Sequence, residues 1–352
     1  MINRKSLTLE WIEQVSKANQ NTDKILVEKT IRALLLLEGL SSSGLSFVFK
    51  GGTALMLLLK EARRLSIDID IIIAQKPQNL ENVLSSFATS QGFNSVELQH
   101  RSIDSAIEKA HYKFYYSPIL KTNKTEDYIL LDILFEENHY LNISLNPIDS
   151  PFIMTEGDSL SVAMPSFEDL LGDKLTAFAP ETTGIPYFKH EVSRSMEIIK
   201  QLYDIGNLFD VATNLETIKT TFEAIATTEI VYRNLSGMKP KDVLEEIYQT
   251  ALCISLRGTA GKCNFDELQK GIKAVERFIF SEHYHLEKAI PHAAKAAYLS
   301  RLIDTNQTTF EKFNDPFQVS EAKIEHPHNT RLQKLKKSSP EAFFYWWKAT
   351  QI

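Results

Sequence analysis

The residues best suited to chemistry are two aspartates inside an otherwise apolar stretch. The segment "SFVFKGGTALMLLLKEARRLSIDIDIIIA", which runs from Ser46 to Ala74, places Asp68 and Asp70 among isoleucines. Because alternate side chains of a strand share a face, both carboxylates should point one way while the isoleucines pack under helices. A carboxylate in such a place is costly unless a cation or hydrogen-bond donors meet it. Two hard oxygen ligands on one face suit Mg²⁺.

A glycine pair upstream supplies the second half of the pattern. Gly51 and Gly52 follow the short apolar run "SFVF" and precede a stretch with helical periodicity. Such a step lets backbone amides approach a phosphate, and the next helix presents its N-terminus to that charge. Four nearby residues could add donors to a bound phosphate: Lys50, Thr53, Arg64 and Ser66. A glycine pair alone is usually only a turn, and an aspartate pair alone can be solvated. Their combination in strand–turn–helix–strand order favours phosphate and metal binding.

These residues resemble the signature of a known enzyme group. The pattern "KGGTAL…RLSIDIDI" is similar to the motif of the AbiEii/AbiGii toxin group of nucleotidyltransferases, within the DNA polymerase β-like superfamily. The match covers Lys50, Gly51, Gly52, Thr53, Arg64, Ser66, Asp68 and Asp70. Two weaker blocks extend it, since "DLLGDKLTAF" resembles the group's lysine motif at Lys174 and "KQLYDIGNLF" resembles its terminal acidic block at Asp204. The resemblance spans roughly residues 46 to 210.

The resemblance implies roles for the two aspartates. A metal-dependent enzyme of this kind moves a nucleoside monophosphate from an NTP to an acceptor, with Mg²⁺ or Mn²⁺ as cofactor. Asp68 and Asp70 would bind the metal, and Asp70 would also lie near the attacking hydroxyl. Superfamily members usually carry a third carboxylate on a neighbouring strand, and Asp132 in "YILLDILFEE" is the candidate metal ligand. The alternative is that Asp132 is a solvated residue on an edge strand.

The resemblance also implies roles for the two downstream residues. Lys174 would neutralise charge on the triphosphate, and Asp204 would line the cleft and orient either Lys174 or the nucleotide. The alternative is that Lys174 is an ordinary surface lysine paired with Asp169 or Asp173. Asp204 would then be the surface partner of Lys200, four residues earlier on the same helix.

Hydrophobic periodicity predicts an α+β protein. Two helical stretches come first, and strands are expected at "SFVF", "SIDIDIIIA", "KFYYSPI", "YILLDILFEE" and from "HYLNISLNPI". Beyond about residue 165 the chain reads mainly as helices. The pattern predicts an α+β domain over residues 1–160, and the resemblance implies that it is a nucleotidyltransferase core with a mixed β-sheet flanked by helices. A helical domain over residues 161–352 would complete the active-site cleft.

Composition limits the class of protein and its partners. Hydrophobic residues make up 43% of the 352 residues and charged residues 24%, as in ordinary soluble globular proteins. No apolar run approaches the roughly 20 residues that cross a bilayer, so no membrane partner is expected. The two cysteines, Cys253 and Cys263, are expected in the core and suit a reducing cytoplasm. Because the net charge is −6, a nucleic acid would need a local basic patch.

The C-terminal tail contains the best sequence candidate for such a patch. In "RLQKLKKSSPEAFFYWW", four basic residues alternate with nearby aromatic residues. They are Arg331, Lys334, Lys336 and Lys337. The aromatic residues themselves are expected to form a packed C-terminal element, and a base-stacking platform is the alternative.

The leading functional hypothesis is the toxin of a bacterial toxin–antitoxin or phage-defence pair, with an RNA such as tRNA as acceptor and a cognate antitoxin as partner. A second hypothesis keeps the site but makes a protein side chain the acceptor. A third is a regulatory module that binds nucleotide without turnover. The intact aspartate pair weighs against this third hypothesis, because a binding module has no need of both carboxylates.

Overall fold

The structure, a computed structural model, describes residues 1–59, 63–99, 108–121, 123–325 and 329–352. All of the candidate residues lie within these ranges. The chain divides into two units. The first comprises Met1–Ser166 with Arg277–His283, and the second comprises Phe167–Glu276 with Tyr284–Ile352. The division at residue 166 lies a few residues after the expected boundary, and the return of residues 277–283 to the first unit has no signal in the sequence.

The first unit is built from helices and a mixed sheet. Its described helices are α1 (Leu9–Ala18), α2 (Lys24–Ser42), α3 (Gly51–Leu58) and α4 (Leu80–Ala88). Its strands are β1 (Val48–Lys50), β2 (Ile69–Ile73), β3 (Ser95–Leu98), β4 (Lys109–Tyr116), β5 (Asp127–Phe135), β6 (Ile143–Pro147) and β7 (Ser161–Pro165). Five of these strands form one sheet in the order β1-β2-β5-β4-β3, and β6 and β7 form a separate antiparallel pair. The predicted α+β class with a mixed sheet is confirmed.

The five-stranded sheet contains both parallel and antiparallel pairs of strands. β2 and β5 run parallel, whereas β1 with β2, β4 with β5 and β3 with β4 are antiparallel. Ile69 and Ile71 are fully buried on one face of β2, as the alternation predicts. On β5 the same face carries Ile129, Leu131 and Ile133, which are also buried. This apolar face forms the core of the first unit and fixes which residues lie on the opposite face.

The segment before β2 is held by chain that comes much later in the sequence. The Leu65 amide donates a hydrogen bond of 2.7 Å to the Phe278 carbonyl, and Arg64 forms a β-bridge with Ile279. This contact explains why residues 277–283 belong to the first unit.

The second unit is mainly helical, as predicted. Its helices are α5 (Phe167–Ala177), α6 (Ser195–Val211), α7 (Leu215–Tyr232), α8 (Pro240–Ser255), α9 (Phe265–Val275), α10 (Leu286–Asp304), α11 (Asn329–Leu332), α12 (Leu335–Ser338) and α13 (Pro340–Gln351). A small hairpin joins β8 (Phe188–Lys189) to β9 (Val192–Ser193). Within the described residues, no helix is both long enough and apolar enough to span a membrane.

The two cysteines depart from the expectation. Cys253 is buried at the end of α8, but Cys263 is only partly buried, and the two form a disulfide across Cα atoms 6.0 Å apart. The sequence was expected to contain two separate thiols, which suit a reducing cytoplasm. Because the two cysteines form a disulfide, they no longer support that expectation.

The C-terminal aromatic residues form part of the core. Phe343, Phe344, Tyr345 and Trp346 are all buried, and the Trp346 indole donates a 3.0 Å hydrogen bond to the Ser255 hydroxyl. The expectation of a packed C-terminal element is confirmed for these four residues, and the alternative of a base-stacking platform is wrong, because their rings have no exposed face. Two of the basic residues are also engaged within the fold. Lys336 donates to the carbonyls of Ser320 and Ala322, and Arg331 donates to that of Thr259.

Trp346→Ala is expected to lower the free energy of unfolding by about 3–5 kcal/mol, because it leaves a buried cavity and removes the hydrogen-bond donor to the Ser255 hydroxyl. Trp347→Ala is the matched control, since Trp347 is only partly buried on the same helix. Urea unfolding of both variants measures the difference. Equal losses would contradict the structural role of α13.

Candidate active site

Four side chains form a line across the sheet. Register places Lys50 on β1 opposite Asp70 on β2, Asp70 opposite Asp132 on β5, and Asp132 opposite His111 on β4. Residues that pair across neighbouring strands share a face, so the four side chains lie on the face opposite the buried isoleucines. All four are partly exposed, unlike the residues of the apolar face. The structure therefore brings Asp70 and Asp132 onto neighbouring strands, and Asp68 precedes Asp70 by two residues.

His111 is a functional candidate that sequence reasoning missed. Its Nδ1 lies 2.5 Å from Asp132 Oδ1, with side chains 20% and 30% exposed. The alternation in "KAHYKFYY" places His111 on a face with Lys109 and Lys113, but only the register to β5 identifies Asp132 as its partner. Asp132 is also not on an edge strand, since β5 lies between β2 and β4. That alternative is wrong.

The glycine pair lies against the polar line. Gly51 has φ +83°, a conformation that L side chains rarely adopt, and a Cβ there would fall on the Asp70 carboxylate. A Cβ on Gly52 would lie 2.6 Å from Arg64 Nη2 and 2.8 Å from Ser66 Oγ. The turn is therefore surrounded by one carboxylate, one guanidinium and one hydroxyl. The backbone at Gly51 and Gly52 passes so close to Asp70, Arg64 and Ser66 that a Cβ atom at either glycine would collide with them.

Helix α3 begins directly at this turn. Lys50 is its N-cap residue and makes no side-chain capping hydrogen bond. The backbone N–H groups at the start of a helix are suited to an anion. Lys50 Nζ lies 5.7 Å from the centre of the Tyr140 ring. Thr53 is fully buried and its hydroxyl donates to the Asp68 carbonyl at 2.6 Å. This hydroxyl, a predicted phosphate donor, is thus engaged within the fold and ties α3 to the segment that carries the aspartates.

The carboxylates of the site provide few ligands for Mg²⁺. Within the part of the chain that the structure describes, no three His, Cys, Asp or Glu side chains are placed to hold a metal ion. Asp132 thus does not complete a three-carboxylate cluster, and one of its oxygens is already paired with His111. Mg²⁺, however, commonly binds through one or two carboxylates together with substrate phosphates and water. Asp70 lies beside the glycine turn and Asp68 comes just before β2, which begins at Ile69, so a pair of carboxylates near a turn at a helix start fits that mode.

In the second unit, Lys174 on α5 and Asp204 on α6 form a buried ion pair. Lys174 Nζ lies 3.3 Å from Asp204 Oδ2 and donates to Gln201 Oε1 at 2.9 Å, with the two charged side chains 8% and 4% exposed. The alternative of an ordinary surface lysine paired with Asp169 or Asp173 is wrong, because Lys174 is itself buried. The predicted partnership of Lys174 and Asp204 is confirmed as a contact.

The sequence profile of a family described as "Nucleotidyl transferase AbiEii toxin, Type IV TA system" matches residues 35–269, two thirds of the chain. The chain belongs to the AbiEii nucleotidyltransferase toxin family. All of the candidate active-site residues lie inside the matched range, and membership makes the chain a nucleotidyltransferase with an NTP as substrate. The family's type IV toxin–antitoxin system also implies a cognate antitoxin.

Solved structures similar to this AbiEii-family chain are distant in sequence. MenT4, a nucleotidyltransferase toxin from Mycobacterium tuberculosis, is 13% identical, with 83% of this chain and 98% of that chain covered and a TM-score of 0.45. JHP933 from Helicobacter pylori is 16% identical, with 79% and 90% covered and a TM-score of 0.39. A search of curated proteins finds no match.

Gly51→Ala is expected to abolish nucleotidyl transfer, because the added methyl group would displace the Asp70 carboxylate. Gly157→Ala is the matched control. Gly157 also has positive φ, at +64°, but nothing lies within 4 Å of a Cβ there. Both changes impose backbone strain of about 1–2 kcal/mol, and only Gly51→Ala should lose activity. Transfer rates and melting temperatures of the two variants measure the difference. Equal activity would leave the Gly51–Asp70 contact without a role in the reaction.

The buried ion pair needs a two-variant test. Lys174→Met alone strands the Asp204 carboxylate and should cost about 3–5 kcal/mol of stability. Lys174→Met combined with Asp204→Asn removes both charges and should restore most of that stability. If Lys174 neutralises charge on the triphosphate, the double variant should still lose transfer by orders of magnitude. Turnover at saturating NTP decides between the roles, since a folded double variant with wild-type turnover would make the pair purely structural.

Proposed function

We propose that this AbiEii-family enzyme transfers a nucleoside monophosphate from an NTP to RNA in a metal-dependent reaction. The observation that supports this best is the approach of the Gly51–Gly52 turn to Asp70 at the N-terminus of α3. Nucleotidyl transfer needs a phosphate cradle and a carboxylate pair side by side, and it needs little covalent chemistry from the protein.

Each element of the site has a task in this proposal. The backbone amides at the start of α3 bind a phosphate, and the helix dipole favours its charge. Arg64 and Ser66, which flank Gly52, add donors on the same side of the turn. Asp68 and Asp70 would hold Mg²⁺ or Mn²⁺, which supplies charge neutralisation on the phosphates and on the attacking hydroxyl.

Asp132 and Lys174 have separate roles in the proposal. Asp132, held by His111, adds negative charge next to Asp70 and orients the incoming acceptor hydroxyl. Lys174, held by Asp204, neutralises charge that develops on the triphosphate, as the family's lysine motif suggests.

The acceptor is proposed to be RNA, such as tRNA, and the activity is proposed to act as a toxin in the cytoplasm, in a toxin–antitoxin or phage-defence pair. A protein acceptor would use the same site and differ only in the macromolecule bound. A binding module without turnover would not need the crowding of Gly51 against Asp70, which keeps a carboxylate at the phosphate cradle.

The test is incubation of the protein with each of four α-labelled NTPs, Mg²⁺ and total RNA. Label is expected in RNA with at least one NTP, and chelation of divalent metal should prevent it. Asp70→Asn should abolish labelling while the fold stays intact, because the change removes charge with almost no change in volume.

The control is Asp266→Asn, which makes the same change at an aspartate in the first turn of α9, outside the site. If the label appears in protein and not in RNA, the protein-acceptor hypothesis is correct and the RNA acceptor is wrong. Wild-type labelling by Asp70→Asn would contradict the assignment of the site.

A further inference from the structure

A second feature lies on the same sheet face as the polar line. Towards the far end of β4 and β5, Tyr128 is 38% exposed. Tyr115 on β4 is opposite Tyr128 in the register. The two rings pack edge-to-face, with their centroids 5.9 Å apart. Lys113 Nζ lies 4.3 Å from the centre of the Tyr128 ring. An exposed aromatic ring with an ammonium against it is a common element of surfaces that bind single-stranded nucleic acid.

This feature is continuous with the candidate site. Tyr128 and Asp132 lie four residues apart on β5 and share a face, so their Cα atoms are about 13 Å apart. Between them lies the pair formed by Leu130 and Lys113, both partly exposed. A strand of nucleic acid could therefore run along β5 from the ring to the carboxylates without leaving the sheet face.

This face carries charges of both signs, and two of its lysines stand apart from carboxylates. Among the described residues, Lys109 and Lys113 have no carboxylate within 4 Å of their ammonium groups, although the whole chain carries a net charge of −6. A second cation near the ring, Lys29, lies 5.5 Å from its centre but is paired with Asp127 at 2.8 Å.

Carboxylates lie on this face as well. Glu97 is opposite Lys113 in the β3–β4 register and is a neighbour of the Tyr115 hydroxyl, and Asp132 is paired with His111. A phosphate beside the Tyr128 ring would therefore be bound by Lys113, whose ammonium group has no carboxylate within 4 Å among the described residues.

We propose that the Tyr128–Lys113 surface binds a single-stranded end of the acceptor RNA, with a base stacked on the Tyr128 ring and a phosphate on Lys113. The proposal rests on the RNA-acceptor function above and adds a site to it. Because the lysine side chain is flexible, its ammonium can leave the ring for a phosphate when a base arrives. Stacking accepts any base, so this surface would select single-stranded ends rather than a sequence.

The test uses a fluorescein-labelled, 12-nucleotide single-stranded RNA of mixed sequence and fluorescence anisotropy. Tyr128→Ala should weaken binding about tenfold, whereas Tyr128→Phe, which keeps the ring, should stay within about twofold of wild type. Lys113→Gln should lower the slope of log affinity against log salt by about one. Lys273→Gln removes an exposed charge on α9 and is the control that should leave the slope unchanged. Affinity for NTP should be the same in all variants.

The outcomes separate this surface from the proposed function. If Tyr128→Ala still transfers onto RNA with an unchanged KM for RNA, the proposed RNA-binding surface is wrong and the proposed function is unaffected. Tyrosine-dependent binding of the oligonucleotide without transfer to any RNA would support the surface and contradict the function. Wild-type affinity in both Tyr128→Ala and Lys113→Gln, or no binding by the wild type, would overturn the surface.

Discussion

The register of four strands is the constraint on which the candidate site depends. Lys50, Asp70, Asp132 and His111 come from distant parts of the chain and form one line only because β1, β2, β5 and β4 pair as they do. A slip of one residue in any pairing would turn a polar side chain into the apolar core. The isoleucines of β2 prevent this, since burying Asp70 in place of Ile71 would cost several kcal/mol. The apolar face therefore fixes the geometry of the polar face.

The same constraint explains the glycine pair. With Asp70 fixed opposite Lys50, the chain must turn into α3 directly beside the carboxylate, and only a residue without a side chain fits there. The Thr53 hydroxyl then joins α3 to the Asp68 carbonyl. On the other side of the turn, Arg64 is buried in a segment that pairs with Phe278 and Ile279. The cradle is thus held by both neighbouring and distant chain, which limits its reorganisation when a phosphate binds.

Much of this arrangement could be predicted from the sequence, and the remainder follows from long-range pairing. The alternation around Asp68 and Asp70 predicts the strand and its two faces, and the glycine pair predicts the turn. The partnership of His111 with Asp132 depends on register between strands, which local periodicity does not encode. The packing of the aromatic tail was expected, but its partners, such as Ser255 for Trp346, depend on tertiary contacts that the composition of the segment does not encode. The cysteines misled because a spacing of ten residues does not reveal that a loop brings the two together.

The central claim is that the Asp68–Asp70 face beside the glycine turn transfers the α-phosphoryl group with its nucleoside. The most direct measurement compares parallel reactions with NTP labelled at the α- or the γ-phosphate, followed by separation of acceptor and small products. The account predicts that only the α-label enters the acceptor and that the γ-label is released as pyrophosphate. The γ-label in the acceptor, or release of single phosphate with no labelled acceptor, would contradict it.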